Sequence, residues 1–186
     1  MDLFCYLLYT GLSLGAHLPK GWSLKECSAP EVRELNHFYS NYSGGLLLDS
    51  LGLLKGENSS EGYLEEVYSK LGFLRKWRAY SLVHGDELNA VLIANQSNLG
   101  FNLSELLNSI IVLVTNPEGL PWNILSTAIG QLTHIHDMKR VPILFYPFEY
   151  VEHKDVPYEK QYHLWILNVR YGNEYLDYMH KKLRIR

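Results

Sequence analysis

Two unbroken apolar runs bracket one helical stretch in the second half of this sequence. Ser109–Thr115 reads SIIVLVT and Val141–Tyr146 reads VPILFY. A strand with no polar alternation is expected to be buried on both faces of its sheet. Between the runs lies the loop Asn116-Pro117-Glu118-Gly119-Leu120-Pro121. Pro121 sits at the first turn of a helix that reaches about Met138, a position where its missing N–H costs nothing. Strand, helix and strand together read as a right-handed βαβ crossover.

The other elements alternate. Phe4–Leu14 reads as a strand broken by Gly11, and Trp22–Cys27 (WSLKEC) as a half-buried strand with period-two alternation. Ser28 as cap, Pro30 in the first turn and Glu31 at the positive end of the dipole start a helix. It carries Val32, Leu35, Phe38 and Tyr39 at helical spacing and runs through Tyr42. Gly44-Gly45 ends it, and a second helical stretch follows over Leu46–Leu54. The polar segment Lys55–Ser60 leads to a helix over Gly62–Leu71, which Gly72 closes as a C-cap. Phe73–His84 and Glu87–Ala94 read as strands joined by a turn at Gly85-Asp86. Beyond the crossover, the sequence predicts a short helix over Tyr158–Tyr162, a strand over Leu164–Arg170 and a C-terminal helix over Glu174–Leu183. The alternation implies an α/β (α+β) fold: a mixed, mostly antiparallel twisted sheet with helices on both faces.

Composition narrows the function classes. The chain has 186 residues, of which 47% are hydrophobic and 20% charged, so one ordinary domain with a real core is expected. The formal net charge of −3 argues against a strongly basic nucleic-acid binder. Cys5 and Cys27 cannot build a disulfide framework or a thiolate zinc site by themselves. Asp2, with no Lys or Arg, precedes the apolar stretch Leu3–Leu14, which therefore lacks the positive start of a secretory signal. It is also shorter than the ~20 residues of a membrane span. The expectation is a soluble cytoplasmic protein, with no nucleic-acid or membrane partner.

The order of elements resembles the GNAT superfamily of N-acetyltransferases over roughly Trp22–Arg170. The opening SLKECSAPEVRELNHFY is similar to the start of that family, and SIIVLVT stands where its cofactor-binding strand lies. Gly44–Leu53, the run LIANQSNLGFNLSELLNSI and LWIL also resemble an acetyltransferase-like domain found beside PilZ domains in some bacteria. On this reading, residues 1–21 are an extra N-terminal strand and linker, and 22–186 form a single domain. The motif-like Tyr68-Ser69-Lys70-Leu71-Gly72-Phe73 comes too early to be the late signature of the family, and reads as a helix running into a strand. A splay between the two apolar strands would form the cleft.

The resemblance implies acetyl-CoA or another acyl-CoA as cofactor, held by Leu113, Val114, Thr115, Asn116, Gly119 and Leu120. A small amine would be the substrate and an acyl-CoA-dependent N-acyl transfer the activity. Tyr158, or after it Tyr162, would supply the acid for the departing thiolate. The loop departs from the family, whose members usually carry Gln/Arg-x-x-Gly-x-Gly/Ala there. Pro117 and Pro121 remove amide donors, and Glu118 puts a negative charge where pyrophosphate would sit, with no Lys or Arg beside it in sequence. The other reading is therefore a non-catalytic acetyltransferase-like module for ligand sensing or protein contact, with homodimerisation among its outcomes.

Further candidates lie outside the loop. The polar stretch Asn95–Asn108 offers Asn98, Asn102 and Ser104 to a small polar ligand, or else is a long loop with one helical turn capped by Asn102 or Ser104. Gly44 and Gly45 stand where acetyltransferase relatives place a substrate-facing loop, so the resemblance implies a substrate contact there; the other reading is a flexible loop. His134-Ile135-His136-Asp137 invites a metal reading, but alternate residues of a helix face apart and no third ligand is spaced for it, so no metal is expected.

Overall fold

In a computed structural model that describes residues 2–9, 17–27, 35, 60–98, 108–138, 141–156, 158–164, 178 and 181, seven strands form one sheet. They are β1 (Asp2–Tyr9), β2 (Trp22–Cys27), β3 (Arg75–His84), β4 (Glu87–Ser97), β5 (Ile110–Val114), β6 (Val141–Tyr146) and β7 (Lys160–Leu164). The described helices are α1 (Ser60–Lys70), α2 (Trp122–Ile135) and α3 (Phe148–His153). The order across the sheet is β2-β3-β4-β5-β6-β1-β7. Every neighbouring pair is antiparallel except β5 and β6, which run parallel and are joined by α2. The mixed, mostly antiparallel sheet expected from the alternation is present.

The two apolar runs behave as their composition requires. Every residue of β5 and β6 is buried. Ile110, Val112 and Val114 face one core, while Ile111 and Leu113 face the other. On the first face α2 lays down Ile124, Leu125, Ala128, Ile129 and Leu132, the stripe that a 3.6-residue period aligns. Phe148, Tyr150 and Val151 of α3 join the same core. The opposite face gathers Tyr6, Ala79, Val91, Ile93, Leu144 and Tyr146, with fully buried Leu35 packed among them from outside the sheet. No described helix is long and apolar enough to cross a membrane.

All three described helices end in the same way. After α1, the Gly72 amide donates to the Ser69 carbonyl (3.0 Å) and the Phe73 amide to Tyr68 (2.8 Å), with Gly72 at φ 79°. Asp137 closes α2 at φ 48° and Asp155 closes α3 at φ 49°, each with the same pair of hydrogen bonds. This is the Schellman arrangement, which satisfies the last carbonyls by a left-handed residue after the cap. Gly72 is thus the C-cap that the sequence implies. Nothing lies within 4 Å of the place a Cβ would occupy there. Gly72→Ala is therefore expected to cost only the left-handed strain, about 1 kcal/mol. Chemical denaturation would read this as a lowered midpoint at unchanged slope.

Three expectations change. The segment over Tyr158–Tyr162 is not a helix: Lys160–Leu164 is the edge strand β7, paired with Asp2–Tyr6 of β1. Lys, Gln and Tyr tolerate either state, and the open edge of β1 decides between them. The helix α3 at Phe148–His153 was not anticipated; Pro147 precedes it as N-cap. β5 and β6 also do not splay along their length, since they stay in register from Ile110 opposite Ile143 to Leu113 opposite Tyr146. The helices expected over Ser28–Tyr42 (apart from Leu35) and Leu46–Leu54, the strand beyond Leu164, and the C-terminal helix (apart from Tyr178 and Lys181) lie outside the described residues.

Candidate functional site

Ligand sites in sheets with parallel strands gather at the carboxyl ends of those strands. Here that end of β5 leads into Thr115–Pro121. Leu113 and Val114, the last residues of the strand, are fully buried. Thr115 is tied to the β3–β4 hairpin: its amide donates to the Asn89 carbonyl (2.9 Å) and its hydroxyl to the Leu88 carbonyl (2.9 Å). The Asn116 amide also donates to Asn89 (3.2 Å).

The Asn116 side chain organises the rest of the loop. Its Nδ2 donates to Glu87 Oε1 (2.9 Å), and its Oδ1 accepts the Gly119 amide (2.9 Å). Its carbonyl accepts the Leu120 amide (3.1 Å). A Cβ on Gly119 would stand 2.8 Å from Asn116 Cγ, so glycine is needed for this close approach. Leu120 is fully buried, and its carbonyl accepts the phenol of Tyr150 (3.2 Å). Burial pushes the Tyr150 hydroxyl well above the ordinary phenol range, so it remains a proton donor to that carbonyl. Lys154 Nζ reaches the Glu118 carbonyl at 3.3 Å. The cation missing from the loop in sequence is thus supplied by the end of α3.

Asn98 occupies the other end of the sheet. Its Oδ1 accepts the Leu74 amide (2.7 Å) and its own amide donates to the Leu74 carbonyl (3.2 Å). From Asn89 to Asn98 the chain is nearly all strand, which at 3.3 Å per residue separates Asn98 from the loop by roughly 30 Å. Asn98 and the loop residues are therefore not brought together. Gly44, Gly45, Asn102 and Ser104 lie outside the described residues.

Tyr158 is exposed and stands edge-on to Phe148, with ring centroids 5.4 Å apart. Tyr162 is placed in β7 opposite Phe4. The His134-to-Asp137 segment divides as helical geometry dictates: His134 is exposed, whereas half-buried His136 bonds Tyr80 on β3. Among the described residues no three His, Cys, Asp or Glu side chains gather as a metal site would require.

Sequence reasoning missed Tyr150, Lys154 and Glu87 as partners of the loop. For Tyr150 and Lys154 the one signal is the run FEYVEHK after Pro147, in which Phe148 and Val151 stand at helical spacing. The link from Glu87 to Asn116 exists only once the β3–β4 hairpin is folded beside β5. Comparison with protein-family models, with curated proteins and with solved structures finds no match to this chain.

Proposed function

We propose that this chain is an acetyltransferase-like domain acting as a non-catalytic module for ligand or protein contact. The observation that carries the reading is the state of the loop after β5. The amides of Thr115, Asn116, Gly119 and Leu120 already donate to carbonyls or to the Asn116 side chain, while Pro117 and Pro121 have none to give. A pyrophosphate cradle works through backbone N–H groups that point outward and lack protein partners. An acyl-CoA would here have to break several formed bonds, each worth about 1 kcal/mol net.

The second reading, an acyl-CoA-dependent N-acyltransferase, is favoured by two features. Lys154 brings a cation to the loop, and α2 begins at Trp122, after Pro121, without a side-chain cap. Under it, Tyr158 remains the candidate acid and a small amine the substrate.

Calorimetric titration of the purified protein with acetyl-CoA and with CoA separates the two. The module reading expects no heat of binding at millimolar ligand. Micromolar binding that is lost in Gly119→Leu overturns it in favour of the enzyme.

A further inference from the structure

One polar cluster stands apart from the loop, at the opposite end of α2. The helix finishes on His136, whose Nε2 lies 2.9 Å from the Tyr80 hydroxyl of β3. The rings meet edge to face, 5.7 Å between centroids. The carbonyl of the same residue accepts Gln96 Nε2 of β4 at 2.6 Å. His136 therefore joins the end of the crossover helix to both strands of the β3–β4 hairpin.

We propose that the Tyr80–His136–Gln96 junction is a pH-sensitive latch, which holds the last turn of α2 on the β3–β4 hairpin at neutral pH and releases it on acidification. Tyr80 is buried against the core and His136 is half-buried, so a neutral phenol and a neutral imidazole share the bond without a charge. Protonation puts a cation into that contact. Register places Glu26 of β2 opposite Tyr80, and Lys76 of β3 opposite Gln96. Arg78 lies between them on β3, its Nε 3.6 Å from Glu26 and its Nη1 3.0 Å from Glu65 of α1. Two cations, Lys76 and Arg78, oppose the imidazolium, and Glu26 favours it while already paired with Arg78. On α2 itself His134 and Asp137 are exposed.

Burial, with Arg78 and Lys76 acting in the same direction against Glu26, pushes the His136 imidazole below its ordinary range. The sign follows. A basic group depressed by folding stabilises the closed latch fully above the ordinary imidazole pKa, and that contribution is lost as the pH falls through the folded value. The device is independent of whether the loop after β5 binds an acyl-CoA.

Hydrogen exchange followed by NMR tests it on the intact chain, with rates corrected for the intrinsic effect of pH. The amides of His136, Asp137 and Met138 donate to Leu132, His134 and Thr133 and report directly on the closed turn. From pH 7.5 to 5.0 their protection should fall by about three-fold or more relative to the core of β4, and stay level in His136→Gln. A smaller fall in the parent protein, or an equal fall in the variant, overturns the proposal. If His136→Gln does not fold, the imidazole titration of the parent protein decides. A His136 pKa no lower than in the urea-unfolded chain overturns the latch.

Discussion

Leu125→Ala is expected to lower the stability of the fold by about 2–5 kcal/mol. Leu125 is fully buried in the first turns of α2 and belongs to the core between that helix and the sheet. Truncation removes the transfer free energy of the side chain and leaves a cavity. The surroundings cannot readily close over it, because α2 is tethered at both ends. At one end the loop is bonded to the β3–β4 hairpin and Tyr150; at the other, His136 is bonded to Tyr80 and Gln96. For a domain of this size the midpoint of thermal unfolding should drop by roughly 5–15 °C. Calorimetry would measure it. A drop of less than a few degrees would mean that α2 is not packed on the sheet as described.

The second large effect concerns a thiol. Cys5 sits in β1, fully buried, between Phe145 of β6 and Gln161 of β7. Burial pushes its pKa from an ordinary 9.0 to about 12, against a smaller downward pull from a backbone hydrogen bond to Phe145. The thiolate is the reactive form, and each unit is a factor of ten in its population. The thiolate population of Cys5 at neutral pH therefore falls about a thousand-fold. The greater nucleophilicity of a more basic thiolate offsets part of this, so alkylation should be slowed by roughly ten- to a hundred-fold, with steric exclusion adding to it. Mass-spectrometric quantification of iodoacetamide labelling, with and without denaturant, gives the ratio. Equal labelling of Cys5 in both conditions would contradict the placement of β1 inside the sheet.

That placement shows where a reading of the sequence stops. Phe4–Leu14 is recognisable as a strand from its apolar residues, but nothing local says which strands it joins. The sheet inserts Asp2–Tyr9 between β6 and β7, pairing Cys5 with Phe145 on one side and Gln161 on the other. Strand pairing is a long-range choice, and residues with no strong preference follow it. Lys160–Leu164 is the case in point: its local composition suits either state, and pairing with β1 makes it a strand.

The candidate site shows the same division. From the sequence, the loop after β5 was legible as poor in glycine, with prolines in place of amide donors and Glu118 among them. The structure adds that four of the remaining amides, those of Thr115, Asn116, Gly119 and Leu120, already donate to Asn89, to the Asn116 side chain and to the Asn116 carbonyl. Lys154 and Tyr150 reach the loop from α3, more than 25 residues further along the chain.

What the sequence determined by itself was the set of elements whose character is local. These are the doubly buried β5 and β6, the amphipathic α2 between them, the Gly72 cap and the β3–β4 turn. Their apolar runs, periodicities and special residues leave one low-energy local state. What only the tertiary structure decided was the order of strands, the edge position of β7, the closed hydrogen bonding of the loop and the meeting of His136 with Tyr80. Each of those depends on groups distant in sequence, whose approach is selected by burial of the whole core rather than by any neighbour in the chain.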